Sequence, residues 1–402
     1  MPADPPRPAT LLVPIGLLAF ASYTTGSGMR LLDPLLPMVA GEFGVPVAGA
    51  AWLVAGFLLP YGLGQLGFGP LGDRYGKLRV ACLAVLAYAV VTLLSVLAGG
   101  LSSLTLLRVL AGLAAGAVIP LMIAYLGDVV PYADRQAVIG RFSTGMVMAQ
   151  LVTGPVAGVL GGLAGWRSVF LLLGVLALAA GGLLVWRLGW PALREKPRAT
   201  TGQRTLEAYA VLLGRRSGRW LMLTSFANGF FLFGGAFPFI GSYLIEHFGL
   251  TAAASGGVVA GFGVGAFAYT RTARRLVGYF GERRLMLRGG VGLALGLAAL
   301  AVAPSWPWVL ALQVWLGMAF YMFHGVLQAR ATEVLPEARG TAMAGFAMAL
   351  FLGQSLGSLA FGLGIAWVGY QGAFGVAAAG TLVLGLWARS GVPVKGKPAP
   401  PG

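Results

Sequence analysis

Three observations predict an all-α membrane protein with twelve transmembrane helices in two six-helix bundles. The chain is a series of apolar runs long enough to cross a bilayer, its basic residues gather in alternate breaks between those runs, and its two halves repeat each other. Hydrophobic residues make up 58% of the 402 and charged residues only 10%. The mean hydropathy of +0.83 is far above that of a soluble domain. Counted as twelve helices, the runs break near 40–48, 71–79, 99–104, 128–140, 163–168, 187–219, 246–252, 271–288, 303–306, 330–340 and 367–370. The termini and the second, fourth, sixth, eighth and tenth breaks, with Arg141 at the edge of one, hold 25 of the 28 Lys and Arg. The other breaks hold only Arg167, and Arg30 and Arg108 fall inside helices. The positive-inside rule then puts both termini in the cytoplasm, in a multi-pass protein of the cytoplasmic (inner) membrane. The net charge of +16 is thus read as topology, and no nucleic-acid partner is expected.

The first run is read as a retained span, since it lacks a short apolar segment ending in a small-x-small cleavage site. It ends in MRLLDPLLP, residues 29–37. Pro34 and Pro37 lack the N–H that a helix would donate four residues back, which predicts unpaired carbonyls at Arg30 and Asp33. So many polar groups in a third of a helix cannot face lipid, so this face is expected to line a water-accessible cavity. Arg30 and Asp33 are three residues apart and can pair. If substrate or a competing partner drew Arg30 away in one state, Asp33 would take a proton, which makes both candidates for proton coupling or substrate binding.

An offset of 205 aligns RYGKLR (74–79) with YFGERR (279–284), Gly112 with Gly317, and DVVP (128–131) with EVLP (333–336). At an offset of 204, Arg135 meets Arg339, Phe142 meets Phe346 and Gln150 meets Gln354. Six helices return the chain to its starting side, so the repeat is parallel. The expected units are an N-terminal bundle over 1–190, a cytoplasmic linker over 191–218 and a C-terminal bundle over 219–402. The linker region is basic and is expected to carry a short surface helix after Thr205 and to attract anionic membrane lipid. Asp73 becomes Gly278 and Arg108 becomes Gln313 in the second copy, which suggests that charge is loaded onto the first half.

The turn between the second and third runs reads GPLGDRYGKLR, residues 69–79. It resembles the signature loop of the major facilitator superfamily at Gly69, Leu71, Gly72, Asp73, Arg74, Gly76 and Lys77. An ordinary basic turn explains the cations but not Asp73 at this glycine spacing. A carboxylate here can pair in one conformation and be released in another, so Gly69, Asp73, Arg74, Gly76 and Lys77 form a candidate conformational gate. LTLLRVLAGLAAG (104–116) resembles the second motif of that superfamily, with Arg108 and Gly112 in place and Ala111 where glutamine is usual. An intramembrane arginine must snorkel, pair or face water, and coupling is set against snorkelling for Arg108. GPVAG (154–158) resembles the core of the antiporter motif of the twelve-helix drug:proton antiporter families. Pro155 would kink the helix, and Gly154 and Gly158 permit a close neighbour. In the tenth run Tyr321, His324 and Gln328 share one face, and His324 and Gln328 are candidates for coupling or substrate, set against plain helix-to-helix hydrogen bonding.

GQSLG (353–357) fits the serine-hydrolase pattern but lies mid-helix, where no strand and elbow can form. Cys82 is unique and His247 and His324 are far apart, so neither a disulfide nor a metal or other cofactor is expected. No Walker sequence is present, so energy should come from an ion gradient. The resemblance implies a monomeric secondary transporter, not an enzyme, exporting a small molecule in exchange for protons. Uptake by symport, facilitated diffusion, and a polytopic enzyme acting on lipid are the alternatives; the enzyme requires an interfacial Asp, His or Cys cluster that the sequence lacks.

Overall fold

The computed structural model describes residues 14–192, 202–335 and 338–391, which are helical with no strand among them. The basic segment 193–201 and the ends 1–13 and 392–402 lie outside the described residues, and with them part of the expected linker and both termini. Twelve crossings result. The first is split into Ile15–Ser27 and Leu36–Glu42, joined by turns through 28–35. Val47–Tyr75, Lys77–Leu94, Leu101–Val129, Tyr132–Ala164 and Trp166–Ala192 complete the first bundle.

A surface helix, Gly202–Gly214, follows. It buries Leu212 against Leu335 and Ala342 and so docks on the second bundle. The seventh crossing passes from Arg216–Asn228 through a π-helical stretch, Gly229–Ala236, into Phe237–Phe248. Where loops were expected at 271–288 and 367–370, the helices Ala252–Ala301 and Arg339–Ala388 run through, each interrupted by one residue, Gly281 or Gly369. A φ of 69° or 68° turns the chain there within one residue, a conformation that only glycine adopts without strain. Trp306–Ala331 is the tenth crossing.

The repeat is built into these bends. Six of the seven positive-φ glycines form pairs at the repeat offset: Gly44 with Gly249, Gly76 with Gly281, and Gly165 with Gly369. Within each bundle the same contact recurs, Gly112 against the Phe57 carbonyl and Gly317 against the Phe262 carbonyl. The bundles meet along three pairs of crossings. The second and eleventh pack through Tyr61 edge-on to Phe351, ring centres 4.5 Å apart, and the Ser355 hydroxyl donates to the Ala55 carbonyl at 3.2 Å. The fifth and eighth touch where Gly158 meets Ala252 and Gly154 meets Gly256. The first and seventh touch where Asp33 meets Gly241.

Candidate functional site

The two irregular stretches, 28–35 and Gly229–Ala236, overlap at the repeat offset, which carries 28–35 onto 233–240, and they face each other across the bundle interface. Two prolines account for the first. The Arg30 carbonyl is not left unpaired as expected, because the chain tightens and the Asp33 N–H donates to it at 3.2 Å. The π-helical stretch carries Phe233, and Phe237 opens the helix after it. Both rings lie on Arg30, whose guanidinium carbon is 4.4 Å and 4.6 Å from their centres.

Arg30 Nη1 lies 3.6 Å from Asp33 Oδ2, and Arg30 Nε donates to Gln150 Oε1 at 2.9 Å. The expected cavity-lining face is instead covered, with Arg30 7% and Asp33 3% exposed, because the rings of the opposite bundle close over it. Burial costs each ion several kcal/mol, and the pair, the amide and the two ring faces offset that for Arg30. Asp33 is less well served, since its Oδ1 is buried without a hydrogen-bond partner. That oxygen can accept a proton or a donor group.

The aromatic floor continues to His324. Phe233 meets Phe320 edge-on at 4.5 Å, and the His324 ring stacks on Phe320 at 4.7 Å. His324 Nδ1 lies 3.0 Å from the Asn228 amide nitrogen, which donates to it when the ring proton is on Nε2. Gln328, expected on the same face, is exposed and does not join the cluster. Arg108 does not snorkel: it is 2% exposed, stacks 4.2 Å over Phe57 and donates through Nε to the Leu53 carbonyl at 3.1 Å, and its charge acts on Asp33 without a hydrogen bond between them. Gln150, Asn228, Phe233 and Phe237 escaped sequence reasoning. The only available signals were a polar residue recurring at the repeat offset, Gln150 with Gln354, and the chain's only asparagine.

At the gate, Lys77 Nζ sits 2.6 Å from Asp128 Oδ2 and 3.5 Å from Asp73 Oδ1. Gly76 turns with φ 95°, Arg74 is exposed beside the Tyr75 ring, and nothing lies close to Gly69. The second half was expected to lack such charges, yet it has a triad of the same make-up, one cation between two carboxylates: Arg330 pairs with Glu282 and, at 2.9 Å, with Glu333. Glu282 holds the repeat position of Lys77 and Glu333 that of Asp128, so the central cation has moved to the tenth crossing. Gly154 and Gly158 face the eighth crossing, as described, and Pro155 lies within an unbroken helix.

The family model described as Major Facilitator Superfamily matches residues 16–278 and 238–402. A probable transporter of Streptomyces coelicolor is 32% identical over 96% of this chain and 88% of its own length. A cis,cis-muconate transport protein of Acinetobacter baylyi is 24% identical over 92% and 90%. Among solved structures, a D-xylose-proton symporter superposes with a TM-score of 0.74 at 18% identity, covering 94% of this chain and 97% of that one.

Proposed function

The chain belongs to the major facilitator superfamily and is a membrane transporter, and we propose that it exports a small molecule in exchange for protons by alternating access. It works as a monomer in the cytoplasmic membrane with both termini in the cytoplasm, an orientation supported by the distribution of basic residues. The observation that carries the reading is the buried Arg30–Asp33 pair on the bundle interface with one carboxylate oxygen unpartnered. Protonation neutralises Asp33 and releases Arg30, so the two protonation states favour different packings of the bundles. Export is supported by the resemblance of Gly154, Pro155 and Gly158 to an antiporter core and by their contact with the eighth crossing.

Uptake by symport is the second reading. Arg30 is a buried cation that can hold a carboxylate, and one relative is named for the transport of cis,cis-muconate, an anion. In antiport, substrate and proton take turns at Asp33; in symport, the substrate anion takes Arg30 while the proton takes Asp33. A ligand panel scored by thermal stabilisation identifies the substrate. Substrate added to weakly buffered protein then releases protons under antiport and takes them up under symport. Asp33→Asn is expected to abolish both the proton signal and flux driven by a pH gradient in proteoliposomes while sparing substrate exchange. Full gradient-driven flux in Asp33→Asn would end the coupling role.

A further inference from the structure

We propose that a furrow on the outside of the first bundle, between the second, third and fourth crossings, is a binding site for one phospholipid with an anionic headgroup. The furrow has a volume of about 570 Å³ and is lined by apolar side chains including Phe68, Leu83, Val91, Leu110 and Leu113, with Tyr75 and Arg79 at one end. From Arg79 to Val91 the third crossing rises roughly 18 Å, close to the depth of one leaflet of a bilayer whose apolar core is about 30 Å thick. An acyl chain lying along it would therefore place its phosphate at Arg79.

The charges at that end suit an anion. Lys77 takes both nearby carboxylates, Asp73 and Asp128, and among the described residues no ion pair involves Arg79. Arg74 stands beside the Tyr75 ring, 5.2 Å from its centre, and has no carboxylate partner among the described residues either. One guanidinium, that of Arg79, thus lines the furrow, and a second stands beside its Tyr75.

The second half shows what the same surface looks like when it is filled. At the repeat offset Leu110 becomes Trp315, Ala87 becomes Gly292 and Leu83 becomes Arg288. The Trp315 indole lies over Gly292 and Gly296, and its N–H donates to the Gly292 carbonyl at 2.7 Å. Arg288 lies over Phe280, the counterpart of Tyr75, at 3.7 Å. The protein's own side chains occupy there the space that the first half leaves for a ligand.

The test is native mass spectrometry of the detergent-purified full chain, titrated with phosphatidylglycerol or with phosphatidylcholine of the same acyl chains. The first phosphatidylglycerol adduct should form at about fivefold lower lipid concentration than the phosphatidylcholine adduct, the preference worth roughly one surface arginine. Arg79→Ala should bring the two lipids level. Leu110→Trp, which copies the second half, should weaken the first phosphatidylglycerol adduct about tenfold. Equal affinity for the two lipids in the unaltered protein, or a retained preference in Arg79→Ala, overturns the headgroup assignment and with it the proposal. So does unchanged binding in a monodisperse Leu110→Trp. Arg79 is exposed, so its variant decides the matter if Leu110→Trp fails to fold.

Discussion

Arg167 is the lone basic residue in the breaks expected to face away from the cytoplasm, and its partners explain how it is tolerated there. It donates to Glu42 at 2.5 Å and to the carbonyls of Val96 and Ala98, while Trp166 donates to the other Glu42 oxygen at 2.6 Å. The Arg167 guanidinium thus ties three loops of the first bundle together. The hydrogen bonds from Arg167 hold Glu42 below its ordinary pKa of 4.5. A depressed carboxylate stabilises the fold at pH values above its unfolded pKa, and that contribution is lost as pH falls through the folded value. Lowering the pH from 6 through the region below about 4.5 should therefore reduce the thermal midpoint of the unaltered protein more steeply than that of Glu42→Gln. Equal slopes in a detergent melt would mean that Glu42 contributes nothing to acid stability. At this scale the sequence was legible only locally. Arg30 and Asp33 announce themselves by spacing, whereas Gln150 is 120 residues from Arg30 and Asn228 is 96 from His324, distances that only the packed fold closes.

Elements were easier to read than partners, because hydropathy reports a span directly and tertiary contacts do not. The interruption of the first crossing is written in Pro34 and Pro37, but the matching π-helical stretch of the seventh contains no proline. Pro238, just beyond it, lacks the N–H that would pair with the Gly234 carbonyl, and Gly229, Gly234 and Gly235 are held against Leu350, Gln354 and Phe361 of the eleventh crossing. A methyl group at position 234 would stand 2.6 Å from the carbonyl carbon of Gln354, so two backbones would have to part. Gly234→Ala should then cost about 1–3 kcal/mol, the usual penalty of overpacking, and should lower the melting midpoint in detergent. Gly257→Ala is the control, since nothing lies within 4 Å of that site, and it should stay near the unaltered value. If both variants melt alike, the π-helical stretch is not set by its contact with the eleventh crossing.

For the whole molecule, duplication dictates more than the helix count. The same bends recur in both halves at Gly44 and Gly249, Gly76 and Gly281, and Gly165 and Gly369, so each bundle is a copy of one plan. What differs lies where the copies meet or where charge is placed: Arg30 has no charged counterpart in the seventh crossing, and the cation of the gate triad sits on the third crossing in one half, as Lys77, and on the tenth in the other, as Arg330. Alternating access needs two such bodies and an interface that opens. Small residues line that interface between the fifth and eighth crossings, where Gly263 packs directly on Leu151. A Cβ at position 263 would lie 3.5 Å from the Leu151 Cβ, within the spacing that a disulfide accepts. Cys82 is the only native cysteine and is buried, so Cys82→Ala provides a clean background. In that background, oxidising Leu151→Cys with Gly263→Cys should fasten the bundles in the present packing and reduce proteoliposome flux more than tenfold, and a reducing agent should restore it. Full flux with the cross-link complete would place the moving interface elsewhere and remove the fifth and eighth crossings from the transport cycle.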